Sequence, residues 1–269
     1  MRGNKEPFNL GATCADQDYL SWLQQIQQFG FEIGYHMTTY HTSLREEIKD
    51  GLEKFHQFFG CYPSSMANHL GCCENIYWGD YRFTGLNQFV YNLLTGYRQH
   101  KKYRGHVEGD PHFWGDVCRD KIKYVRNWTF SDIDTMKACP IMPYHDPQRP
   151  YVNYWFACCK GGNVELFNSC MAEFNQDRLE QEGGACIMYT HFAFGFSENG
   201  RLNPRFRALM QRLSEKNGWF VPVTTLLDFL MDHYGNNTIT DADRKCLERR
   251  WLRRRIWQGL HELVRKNRG

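Results

Sequence analysis

Two histidines, His36 and His41, stand where an apolar segment gives way to a helical pattern, and together they could hold a metal ion. Neutral imidazole nitrogen is a preferred ligand of zinc and similar divalent ions. Their spacing points the two rings to different faces of a continuous helix or strand, so they converge only across a bend. Ser43 and Glu46 form a Ser-x-x-Glu capping box, which predicts a helix start directly after His41. The alternative is that each ring simply satisfies hydrogen bonds in the core or at the surface.

A third histidine, His191, directly follows the apolar segment Ile187-Met-Tyr-Thr190. The carboxyl ends of parallel strands are where α/β folds carry catalytic side chains. A histidine has an unperturbed pKa of about 6.5, so it can protonate a leaving group near neutral pH. The alternative role is structural, with the ring fixing the following loop by hydrogen bonds.

Apolar runs and helical periodicities alternate at both ends of the chain, which predicts parallel strands joined by crossover helices. The segment 61–184 is irregular and rich in Gly, Tyr and Trp, with a strand near 151–159 and helices near 86–94 and 168–180. Elsewhere we predict strands at 8–14, 31–35, 185–190 and 219–223, and helices at 16–30, 44–59, 203–213 and 226–234.

Composition limits the class of protein. The chain has 269 residues, enough for one main α/β domain, which we expect at 1–235. Its net charge of +3 is too small to identify a nucleic-acid binder, and 16% aromatic residues suit stacking on sugar rings. The eleven cysteines lack Cys-x-x-Cys spacing, so we expect reduced, mostly buried thiols. No segment resembles a signal peptide or a membrane span, which predicts a cytoplasmic protein.

Residues 236–269 form a basic amphipathic tail, with Leu247, Trp251, Leu260 and Leu263 on one face of a predicted helix. Three roles remain open for this tail. It packs on the domain with its basic face in solvent, docks on an anionic membrane surface, or binds nucleic acid or a partner protein. Binding to nucleic acid would depend steeply on salt and would be lost on deleting residues 244–268.

In three places and in the right order, the chain resembles the polysaccharide deacetylase family, of the chitooligosaccharide deacetylase type. Glu32-Ile-Gly-Tyr-His36 through His41 resembles its metal motif, with one residue more between the histidines than is usual. Ile187-Met-Tyr-Thr-His191 resembles its late strand with the catalytic histidine, and Gly218-Trp-Phe-Val-Pro-Val resembles the start of its closing strand and helix. The resemblance covers residues 8–60 and 184–234.

This resemblance implies a distorted or incomplete (β/α) barrel with a long irregular insertion at 61–184 and a basic helical appendage. The implied reaction is hydrolysis of an N- or O-acetyl group on a polysaccharide or glycolipid sugar. His36 and His41 would bind a divalent metal ion such as zinc, which polarises the acyl carbonyl and activates water. His191 would protonate the leaving group, and a substrate carried on lipid would suit a basic tail at the membrane.

The family's Asp-Asp motif, which supplies the catalytic base and a metal-binding carboxylate, has no counterpart before Ala12. Asp16 is the nearest candidate for the missing ligand, although it is also placed to cap a helix. Asp146 is a candidate for orienting the base. Asn68 and His69 stand where the family's substrate-groove motif is expected.

Three explanations of the missing carboxylates remain open: a truncated reading of a longer gene, an inactive relative, or a variant that uses other acids. A barrel without its first strand leaves sheet edges to be covered by a loop, by the tail or by a homo-oligomer. The main rival to the esterase is a non-catalytic carbohydrate-binding or assembly protein on the same scaffold.

Overall fold

The computed structural model describes residues 11–39 and 41–266, and at 258 and 260–266 it describes the backbone alone. Within these residues the fold is mixed α/β. Its helices are α1 (Gln17–Gln28), α2 (Arg45–Phe59), α3 (Gly85–Leu94), α4 (Gly115–Lys121), α5 (Thr135–Ala138), α6 (Val164–Cys170), α7 (Glu173–Glu182), α8 (Pro204–Ser214), α9 (Val223–Tyr234) and α10 (Asp241–Lys266). Its strands are β1 (Ser65–Ala67), β2 (Tyr124–Phe130), β3 (Tyr144–His145), β4 (Tyr154–Gly161), β5 (Met188–Thr190), β6 (Ser197–Glu198), β7 (Arg201–Leu202) and β8 (Asn237–Thr238).

The main sheet is largely parallel and follows the order of the chain. A single bridge joins Tyr35 to β1, and β1, β2, β4 and β5 then pair in parallel, each with the next. On the side away from β2, two strands pair with β4: β3 pairs antiparallel near the start of β4, and β5 pairs in parallel near the end of β4. β8 adds to β3. A mainly parallel sheet is therefore confirmed; in the described residues it stays open rather than closing into a barrel.

Strands β2 and β4 form the centre of the core. Both are buried along nearly their whole length, as expected for parallel strands covered by helices on both faces. Trp128 and Trp155 are 1% exposed and belong to the main hydrophobic cluster. A second cluster, which includes Cys159, Phe167 and Leu209, lies where α6 and α8 pack near the end of β4.

Local sequence signals account for the helix ends. The carboxylate of Asp16 accepts the N–H groups of Asp18 and Tyr19 and so caps α1. Asn203 caps α8, with Pro204 at its first position as predicted. The predicted capping box was displaced by one residue: Glu47 accepts the N–H of Leu44 at 2.8 Å, because Ser43 is buried and pairs with Thr39 instead.

Several predicted elements differ from the structure. Of the strand predicted at 31–35, only the bridge at Tyr35 forms. Of the strand predicted at 219–223, residues 219–222 are irregular and Val223 already begins α9. The helix predicted at 168–180 is two helices, α6 and α7. Residues 11–14 form no strand, and the first part of that prediction, 8–10, lies outside the described residues. The cysteines are free thiols, as predicted.

The first half of the tail is part of the folded domain. Leu247 and Leu252 are 4% exposed and lie in the main hydrophobic cluster. Glu248 is buried and accepts hydrogen bonds from Thr84 and Asn87, the latter at 2.7 Å. The predicted boundary at residue 235 therefore does not separate two cores. No helix in the described part of the chain combines the length and apolarity that crossing a bilayer requires.

Candidate functional site

The parallel strand ends bring three histidines to one edge of the sheet. His36 follows the bridge residue Tyr35, His69 lies two residues beyond β1, and His191 follows β5. Arg126 lies in β2 opposite Ala67, and Tyr189 lies in β5 two residues before His191. Because residues two apart on a strand share a face, Tyr189 accompanies His191. We call His36, His69, Arg126, Tyr189 and His191 the sheet-edge cluster.

Hydrogen bonds and ring contacts orient the imidazoles of this cluster. Nδ1 of His36 lies 2.8 Å from the carbonyl oxygen of Ala67. Since a carbonyl only accepts, Nδ1 carries the proton and Nε2 keeps its lone pair. The His36 and His69 ring centroids are 4.8 Å apart, in an edge-to-face arrangement. Nε2 of His191 is 2.9 Å from the hydroxyl of Tyr189.

The cluster disfavours additional positive charge. Desolvation in the pocket lowers the pKa of His36 to about 4, although part of the ring remains accessible, and nearby His69 and Arg126 act in the same direction. Burial lowers the pKa of His69, and burial together with the charge of Arg126 lowers that of His191. The histidines are therefore mainly neutral at pH 7, with His36 most strongly so.

A cavity of about 310 Å³ opens at the cluster, and His36, Arg126, Tyr189 and His191 line it. Its other lining side chains are apolar or uncharged, and no carboxylate is among the described residues that line it. A larger cavity of about 710 Å³, between residues 11–15, α1 and α2, also reaches His36. His36 therefore lines both cavities.

The predicted metal ligands are not brought together. His41 lines neither cavity that His36 lines, and its Nδ1 is buried without a hydrogen-bond partner in the described structure. The carboxylate of Asp16 caps α1 rather than facing the histidines. Among the residues described, no group of three or more His, Cys, Asp or Glu side chains is arranged to hold a metal ion. In the described residues His36 and His41 thus do not line one cavity. Zinc binding stays a prediction, and we derive no step through a metal.

The other predicted site residues divide into one that joins the cluster and two that do not. His69 lies against His36, so its place beside the site is as expected. Asn68 is buried and forms two hydrogen bonds of 3.0 Å with the backbone of Ile76, so it fixes the loop rather than facing a groove. Asp146 is buried in ion pairs with Arg149 and Arg244, which hold α10 to the domain.

Arg126 and Tyr189 were not predicted as site residues. A signal for each is present in the sequence. Arg126 is the single charged residue in the strand Tyr-Val-Arg-Asn-Trp-Thr-Phe, and Tyr189 shares a strand face with His191.

Comparison with known proteins gives no relative: no family model, curated protein or solved structure matches this chain.

Proposed function

We propose that the chain hydrolyses an N- or O-acetyl group on a sugar of a polysaccharide or glycolipid, and that the reaction takes place at the sheet-edge cluster. The observation that supports this most is the convergence of His36 and His191 at the carboxyl edge of a parallel sheet, beside a cavity. The chain-order pairing of the parallel strands also supports the finer proposal of an incomplete barrel of the deacetylase type.

In this proposal, the two histidines divide the proton transfers. Nε2 of His36 takes a proton from the attacking water, because the bond from Nδ1 to Ala67 leaves that lone pair available. His191 gives a proton to the leaving nitrogen or oxygen, and the hydroxyl of Tyr189 holds its ring in place. The lowered pKa of His191 makes its imidazolium a stronger acid, with a smaller protonated fraction near pH 7.

The proposal predicts a large loss of activity in His191→Gln. Removing a general acid or base typically costs about 100-fold or more in rate, so we expect acetate release from acetylated oligosaccharides to fall by at least that factor. His36→Gln is expected to have a similar effect. Acetate is measured with purified full-length protein, and circular dichroism verifies that each variant is folded.

His233→Gln is the matched control, because His233 is an exposed histidine on α9, outside the residues that line the cavity. Its activity should equal that of the wild type. Equal activity in His191→Gln would contradict the assigned role. If the wild type binds the oligosaccharide but releases no acetate, the non-catalytic carbohydrate-binding function takes its place; the absence of a lining carboxylate favours this second candidate.

We also propose that the basic side of α10 binds an anionic membrane surface, which would suit a lipid-carried substrate. Lys245, Arg249 and Arg253 recur at four-residue intervals and are exposed, and Trp257 beyond them is 66% exposed. We predict that Arg249→Glu/Arg253→Glu reduces cosedimentation with phosphatidylserine vesicles, whereas Arg98→Glu, at an exposed position of the loop after α3, does not. If both variants still bound vesicles made only of zwitterionic lipid, binding would not depend on anionic lipid, and the proposal would be contradicted.

A further inference from the structure

Arg126 places a guanidinium beside the histidines of the sheet-edge cluster. In register it is opposite Ala67 of β1 and Phe156 of β4, and its strand neighbours Val125 and Asn127 are buried. Arg126 is half-buried, so its side chain loses part of its hydration while it lines the cavity. A counter-charge from the protein or from a ligand in the cavity would offset this loss.

No carboxylate in the described part of the chain supplies a counter-charge to Arg126. Among the described residues, no carboxylate forms an ion pair with it, and its Nε is buried without a hydrogen-bond partner. Arg149 and Arg244, by contrast, are buried against the carboxylate of Asp146. The guanidinium of Arg126 instead lies over the ring of Tyr189, 4.3 Å from its centroid. This contact compensates part of its lost hydration and holds its plane fixed.

The surroundings of Arg126 favour a negatively charged ligand. The cavity is lined by Arg126 with neutral histidines, and none of its described lining residues is a carboxylate that would repel an anion. A guanidinium carries five N–H donors in a planar fork that matches carboxylate and phosphate oxygens. A bound anion would thus supply the missing counter-charge.

We propose that Arg126 forms an anion-binding subsite, and that the sugar acted on carries a carboxylate or a phosphate group. The inference that the sugar carries such a group rests on the proposed function, whereas anion binding by Arg126 does not. Tyr189 then has two roles, since its ring supports Arg126 and its hydroxyl contacts His191. The subsite places the charged group of the substrate next to the residues that transfer protons.

Isothermal titration calorimetry of the full chain with inorganic phosphate, glucuronate and neutral glucose tests this subsite. We expect the two anions to bind with one site per chain and to bind at least about tenfold more weakly in Arg126→Gln, because charge-assisted hydrogen bonds are lost. Tyr189→Leu should also weaken binding. Arg98→Gln removes an exposed arginine and should change the dissociation constant by less than about twofold.

The relative affinities distinguish the sources of the anion. Tighter phosphate binding indicates a phosphorylated sugar or glycolipid, and tighter glucuronate binding indicates a uronic acid. The subsite is rejected if neither anion binds the wild type, or if binding is unchanged in both Arg126→Gln and Tyr189→Leu. Because binding is measured without turnover, a failure of acetate release would leave this result intact, and failure of anion binding would leave hydrolysis of neutral acetylated sugars standing.

Discussion

Replacing Asp146 with Ala is expected to lower the free energy of unfolding by about 3–5 kcal/mol, the usual cost of removing one partner from a buried ion pair. Asp146 is 2% exposed, and its carboxylate accepts hydrogen bonds from Arg149 and from Arg244, the latter at 2.7 Å. Burial alone would raise the pKa of Asp146, but the bonds and charges of the two arginines lower it. The variant leaves the buried guanidinium of Arg149 without a carboxylate, and Arg244 keeps only its pair with Asp241. Urea denaturation followed by Trp fluorescence measures the loss.

Asp50→Ala provides the control for this experiment. Asp50 pairs with Lys54 on the exposed surface of α2, where such a pair contributes only about 0.3–0.5 kcal/mol. A loss of less than about 1 kcal/mol in Asp146→Ala would contradict the structural role assigned to this carboxylate. If Asp146→Ala instead kept its stability and lost about 100-fold in acetate release, the prediction that Asp146 orients a catalytic base would be supported.

The fold was predictable from sequence where periodicity and capping agree. α1, α2, α8 and α9 all combine apolar spacing with a cap, a turn residue or a proline at one end, and their positions were predicted to within about three residues. β2 was missed because it is the central strand. A strand buried on both faces shows no alternation, and Arg126 and Asn127 interrupt what would otherwise be a continuous apolar run.

The site was predictable only in part, because local sequence determines strand ends but not which loops meet there. His36 and His191 were selected for following apolar segments, and both lie at the sheet-edge cluster. His41 was selected by its spacing from His36, yet it lines neither cavity. The contact between His36 and His69 depends on the pairing of Tyr35 with Met66, two residues far apart in the chain.

Acid is expected to destabilise the protein through His106, by up to about 5 kcal/mol in the limit of low pH. Its ring lies between Tyr77 and Tyr81, each 4.2 Å away between centroids, and its Nδ1 accepts the N–H of Tyr77. Burial lowers the pKa of His106 to about 3, and the charges of Arg104 and Arg149 act in the same direction. The ring is therefore neutral in the folded protein at pH 7.

The pH window follows from the direction of this shift. Because the folded pKa lies below the unfolded value, near 6.5, the stabilising contribution is complete above that pH and is lost as the pH falls towards 3. Other groups also titrate in this range, so the informative quantity is the difference in unfolding free energy between the wild type and His106→Gln. We expect this difference to shift by roughly 2–3 kcal/mol in favour of the variant between pH 7 and pH 4.5.

His233→Gln separates this effect from the general loss of a histidine, because His233 is exposed on α9 and does not pack between Tyr77 and Tyr81. Urea denaturation at pH 7, 5.5 and 4.5 supplies all the values needed. A constant difference for His106→Gln would show that the ring takes up its proton equally well in both states, and hence that the two tyrosines and two arginines around it do not hold it neutral. A shift confined to His106→Gln would locate the acid sensitivity in the packing between Tyr77 and Tyr81, away from the sheet-edge cluster.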